Sequence, residues 1–277
     1  MIAGFTVSAR AFTEDAPTPR TVEAFPDLAK FSPWVKLADV VDLITYLRAH
    51  VAALPDEEDV PPYDRLAHFG DWIRPVKGNC LDTRQRIMIR DARGSVQYRN
   101  DGCAVSGGKW TDPYSGQELK EVIEVHIDHV VPLNNAYGSG AYDWRPARRC
   151  HFANFTGNKY HLRAVFRTEN MRKGARGPEH YIPPLKSFRC RYLSEWMKIK
   201  TIWQLTVRPE EIRAIEEAVD EENCRANFLV ISRNELREQR KLTQEPPERC
   251  EDFEKSLELV DPPIEAQKFE VSWPSAS

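Results

Sequence analysis

Between Val125 and Gly174 the chain carries a pattern that few local folds can satisfy. Val122, Val125 and Ile127 alternate with Glu121, Glu124 and His126, the two-residue period of a half-buried strand over Glu121 to Ile127. The strand runs out into Asp128-His129 and then Val130-Val131-Pro132-Leu133. Leu162 to Phe166 reads as a second short strand. A short helix carrying Asn170 and Lys173 should follow, with Thr168 as its N-cap and Gly174 and Pro178 ending it. A strand, a loop, a second strand and a helix in this order can bring an imidazole, a carboxylate and an amide into one cleft.

The rest of the chain is read around that stretch. Residues 1 to about 35 are broken by prolines and read as irregular. Leu37, Val40, Val41, Leu43, Ile44, Leu47 and Val51 lie near a helical stripe, predicting a helix over 37–54. Leu54 to Pro62 is an acidic, Pro-bounded connection. Residues 84–90 read as helix or strand, and 102–116 as a hairpin and a tight turn. Residues 134–149 read as partly helical, interrupted at Gly138-Ser139-Gly140; helices are predicted from about 186 to 201 and from Pro209 to about 222. The last 50 residues are charged, with weak periodicity. The expected organisation is an acidic segment with one helix (1–60), a central domain (61–215) and a charged extension (216–277).

A net charge of −3 conceals a strong asymmetry. From Arg145 to Lys200 there are 14 Lys or Arg against 3 acids, while both ends of the chain are acidic. Concentrated positive charge suggests a phosphate-facing surface, which the acidic termini could cover or extend with protein contacts. No stretch approaches the length of a membrane helix, so no membrane partner is expected. Met1 to Arg10 lacks a basic start followed by an apolar run, and the expectation is a cytoplasmic chain with reduced thiols. The six cysteines contain no Cys-x-x-Cys, and Cys80 with Cys103 is the first pair to test for a disulfide.

The residue types in the central stretch suit phosphodiester hydrolysis. A histidine can take the proton from water. Hard oxygen donors can hold a divalent ion that neutralises charge on phosphorus. His129 is the candidate base, and Asp128 and Asn170 are the candidate ligands. His126 is an additional ligand or a structural residue. Arg149 is grouped with the catalytic residues, either as a phosphate contact or as the partner of an acid. Arg148, Lys159, Arg163, Arg172 and Lys173 are candidate contacts to a nucleic-acid backbone.

Ile127-Asp128-His129-Val130-Val131-Pro132-Leu133 and Asn170-x-x-Lys173-Gly174 resemble the HNH (His-Me finger) nucleases. The closer resemblance is to the C-terminal nuclease domain of GmrSD-type restriction enzymes. It extends through Tyr63-x-Arg65, Phe69-Gly70-x-Trp72, Thr83-Arg84-Gln85, Trp110-x-Asp112-Pro113-Tyr114, Arg149-x-x-Phe152-Ala153-Asn154 and Pro183-Pro184, over roughly residues 63 to 212. It implies an α+β fold, with a ββα-metal core embedded in additional helices and short antiparallel strands. It implies DNA as substrate, and one divalent ion: Mg2+ first, with Mn2+, Ni2+ or Zn2+ as alternatives. The middle motif residue is Asn158 or Asn154, whose amide would tie the loop and orient His129. RNA cleavage, and a catalytically silent nucleic-acid-binding protein, are the alternatives.

Overall fold

The computed structural model describes residues 39–52, 60–78 and 80–260. The irregular reading of residues 1–35 and most of the Pro-bounded connection lie outside the described residues. In chain order the elements are β1 (Val40–Asp42), α1 (Leu43–Arg48), α2 (Arg65–Phe69), α3 (Thr83–Asp91), β2 (Gln97–Tyr98), β3 (Val105–Gly107), β4 (Trp110–Thr111) and β5 (Glu118–Leu119). They continue with β6 (Val125–His129), α4 (Leu133–Gly138), α5 (Pro146–Ala153), β7 (Leu162–Phe166), α6 (Arg167–Lys173), α7 (Lys186–Trp203), α8 (Pro209–Glu221), β8 (Val230–Ser232), α9 (Arg233–Leu242) and α10 (Glu248–Val260). The architecture is α+β: helices surround small antiparallel pairs, β1 with β8, β2 with β3, β4 with β5, and β6 with β7.

The β6–β7 pair is the element that positions the cleft. Its register runs without a bulge from Val125 opposite Phe166 to His129 opposite Leu162. Val125 and Ile127, with Leu162 and Ala164 across the pair, are buried in a cluster shared with Ile87 and Met88 of α3. Alternation turns His126 and Asp128 to the other face, where they meet Asn170 and Lys173 of α6. Helix α6 follows β7 without a loop and is capped at Phe166, so Thr168 lies inside it rather than at its N-cap. The strand predicted from Glu121 starts later, because Val122–Glu124 forms a 3-10 turn closed by a capping box between Glu121 and Glu124.

A larger core surrounds α7. Leu193, Trp196, Met197, Ile199, Ile202 and Trp203 are all buried. Lys200 is buried with them because it donates to Ser139 Oγ at 2.6 Å and faces Glu211 at 3.1 Å. The helix predicted over 37–54 is a strand followed by a shorter helix. Val40 and Val41 pair with Ser232 and Ile231, and the side chain of Asp42 caps α1 by accepting from the Thr45 N–H at 3.0 Å. Leu43, Ile44 and Leu47 are the buried part of the stripe. The segment 102–116 belongs to two hairpins rather than one, with Gly108-Lys109 separating β3 from β4.

Three disulfides join Cys80 to Cys103, Cys150 to Cys250, and Cys190 to Cys224. The expectation of reduced thiols is therefore corrected, and the Cys80–Cys103 pair is the one singled out in the sequence. Among the described residues no helix is long and apolar enough to cross a membrane.

Candidate active site

At the end of β6 lies a cleft of about 500 Å³, lined by His126, Asp128, His129 and Asn170 together with Tyr63, Arg65, Trp72, Arg84 and Asn134. Three of the residues selected from sequence, Asp128, His129 and Asn170, thus share one cavity although they come from a strand end and a separate helix.

His129 is held on two sides. Its ring stacks on Trp72, with centroids 5.3 Å apart and planes 5° from parallel. Its Nε2 lies 2.8 Å from the Ala153 carbonyl. A carbonyl only accepts, so Nε2 carries the proton and Nδ1 keeps the lone pair. Unlike the Nδ1 atoms of His151 and His161, that atom is not shut away without a partner. Burial holds the imidazole well below its ordinary pKa, outweighing the Ala153 hydrogen bond, so the ring is neutral near pH 7.

Asp128 is buried and accepts from Lys173 Nζ at 2.9 Å and from the Tyr114 hydroxyl at 2.5 Å. Burial raises its carboxyl, while the ammonium and the phenol pull it back. Lys173 is fully buried and donates a second hydrogen bond to the His129 carbonyl at 2.9 Å. It is therefore a counter-charge beneath the cleft and not a surface contact to a nucleic-acid backbone. Asn170 Nδ2 lies 3.3 Å from His126 Nδ1. Among the described residues no group of three or more His, Cys, Asp or Glu side chains could hold a metal ion.

The two candidate middle asparagines have different tasks. Asn158 accepts from the Tyr160 and His161 N–H groups at 3.1 and 2.8 Å and donates to Gln239 of α9. It ties its own loop. Asn154 accepts from the Ile73 N–H at 3.0 Å and donates to the carbonyls of Asp71 and Cys150. It therefore fixes the segment that carries Trp72 over His129. Neither amide touches the His129 ring, which is oriented by the Ala153 backbone.

Several of the basic residues in the 145–200 block chosen as phosphate contacts are engaged by groups of the protein itself. Arg149 is buried and donates to the carbonyls of His68, Tyr142 and Trp144, so it is neither in the cleft nor free for phosphate. Arg148 lies over the Trp144 ring, with its guanidinium carbon 4.3 Å from the centroid. Arg163 is paired with Glu195, with Nε at 2.7 Å, and Arg172 with Glu169 at 3.1 Å. Lys159 is exposed and does not line the cleft. The guanidinium groups that do line it are those of Arg65 and Arg84, which lie outside the block. Composition counts charges but not their partners; the Tyr63-x-Arg65 and Trp72 motifs were the available signal for this wall.

A family model described as the C-terminal domain of GmrSD restriction endonucleases matches residues 82–217. An uncharacterized secreted protein of Arthroderma benhamiae is 40% identical over 147 residues, covering 53% of this chain and 70% of the relative. No solved structure matches. The secreted description of that relative, alongside three disulfides, overturns the expectation of a cytoplasmic chain. The family match over residues 82–217 and the relative covered to 70% lead to one assignment: the chain belongs to the family of GmrSD restriction endonuclease C-terminal domains.

Proposed function

We propose that this protein is a metal-dependent endonuclease that hydrolyses DNA phosphodiester bonds, with His129 as general base. The observation that carries the reading is the 2.8 Å contact of His129 Nε2 with the Ala153 carbonyl, which leaves Nδ1 as the basic nitrogen of a residue that lines the cleft with Asp128 and Asn170. Water bound beside Nδ1 would pass its proton to the ring as its oxygen attacks phosphorus. Arg65 and Arg84 would attract the phosphate and oppose the negative charge that grows on its oxygens.

The donor set fits a largely hydrated divalent ion. An ionised carboxylate has about four lone-pair sites, and Lys173 and Tyr114 use two of those on Asp128. The side-chain oxygen of Asn170 has no hydrogen-bond partner among the described residues. Asp128 and Asn170 would therefore hold the ion, with His126 adjacent, and Mg2+ accepts such a sparse protein ligand set. When bound, the ion would supply charge neutralisation at the phosphate and the leaving oxygen. In this reading β6, β7 and α6 constitute the ββα unit, and the catalytic unit lies within residues 61–215. Three disulfides suit work in an oxidising compartment.

The test is plasmid nicking with Mg2+ and with EDTA, with a parallel RNA substrate. Loss of the base should slow the His129→Ala variant by about 10²- to 10⁴-fold. Unchanged cleavage by that variant would end the proposal.

A further inference from the structure

The segment from Arg65 to Arg86 delivers positive charge to two places. Arg65 and Arg84 line the cleft, whereas Arg74, Lys77 and Arg86 line a second cavity of about 590 Å³. One wall separates the two. Trp72 faces the cleft and Ile73 the second cavity, while Arg84 and Arg86 of α3 divide in the same way. That wall is firmly tied, since Ile73 bonds to Asn154 through its N–H and to the Thr83 N–H through its carbonyl.

The second cavity is rich in donors that the fold does not use. Arg74 and Lys77 are exposed and have no carboxylate partner among the described residues. Arg86 Nε is buried without a hydrogen-bond partner. His151, 6% exposed, also lines the cavity and leaves Nδ1 unpaired. Arg249 adds a fourth cation, held loosely by Asp252 at 3.7 Å, and Glu245 and Glu248 are the two opposing carboxylates. Unpaired guanidinium and ammonium groups in a concave site are suited to a phosphate.

We propose that this cavity is a second phosphate-binding site, occupied by a non-scissile backbone phosphate of the strand whose scissile phosphate faces His129. The occupant rests on the nuclease reading, because the shared wall makes the two sites neighbours along one strand. Such a contact positions the strand without reading its bases. Longer strands should gain affinity from it, and strands too short to span the wall should not.

The test uses the full chain in EDTA, so that binding is read without cleavage. Labelled single-stranded DNA of four and of sixteen nucleotides is titrated against the parent and against an Arg74→Ala/Lys77→Ala variant. The variant should bind the longer strand about tenfold more weakly, with a salt slope smaller by about one to two. Its affinity for the shorter strand, and its Mg2+-supported hydrolysis of bis(p-nitrophenyl) phosphate, should match the parent. Parental affinity for the longer strand, or an equal loss for both lengths, would overturn the proposal. Inorganic phosphate that binds the parent without displacing the longer strand would also overturn it, marking a free-anion site. Failure of the parent to hydrolyse bis(p-nitrophenyl) phosphate would instead count against the nuclease reading and leave the strand-binding comparison intact.

Discussion

A buried ammonium beside a buried carboxylate is tolerable only while both are present. Lys173 and Asp128 are 2.9 Å apart, with exposures of 0% and 5%, and Tyr114 takes the remaining carboxylate oxygen. Replacing Lys173 with Met leaves a carboxylate in a low-dielectric site with only a phenol to stabilise it. The expected cost is about 3–5 kcal/mol in urea denaturation. Adding Asp128→Asn to Lys173→Met should recover much of that stability, because the uncompensated charge is gone. A single variant as stable as the parent would show that water reaches the pair. Activity should not recover in the double variant, because Asp128 is also the proposed oxygen donor. That split separates the structural task of the pair from its chemical one.

At the scale of elements, the cleft is made by a wall and a floor; the floor is legible in the local periodicity, the wall only through the motifs of the family resemblance. Asp128-His129 and Asn170 stand out because an alternating strand and a short helix carry them at fixed local spacing. Trp72, Arg65 and Arg84 reach the cleft through tertiary packing, by way of Asn154 holding Asp71 and Ile73. No local period encodes that. The same limit explains β1, whose Val40 and Val41 join a helical stripe in sequence but pair with a strand near the other end of the chain. Helices α7 and α8 are legible because their apolar stripes are long. Helix α9 is not, since Leu236 is its one buried residue. The wall makes its own prediction. Trp72→Ala should reduce kcat by about tenfold or more through loss of the ring that fixes His129, with KM little changed, whereas Trp72→Phe should restore most of the rate. A matching fall in binding instead of turnover would assign Trp72 to the substrate.

For the whole molecule, stability should depend on acidity through buried histidines that do not line the cleft. Burial lowers His151 to about 4 and His161 to about 3, against 6.5 for a free imidazole. The His161 Nε2 hydrogen bond to Phe152, at 2.7 Å, opposes that lowering without overcoming it. Both folded-state values are depressed, so the unfolded chain binds more protons below pH 6.5. The contribution of the two rings is therefore complete above about 6.5 and declines as pH falls toward 4 and then 3. Each ring could account for a few kcal/mol, at about 1.4 kcal/mol for every tenfold weakening of proton binding in the folded state. The Cys150–Cys250 disulfide acts on the same region, because Cys150 lies beside His151 in α5 and ties that helix to α10 across a sequence separation of 100. Removing it as a Cys150→Ala/Cys250→Ala variant should cost about 2–5 kcal/mol at pH 7.5, mainly by enlarging the unfolded ensemble. The unfolding midpoint of this variant in guanidinium should then fall with pH in parallel with the parent, since the histidines remain buried. A variant that loses its pH dependence would show that the disulfide, and not the surrounding packing, keeps His151 and His161 dry.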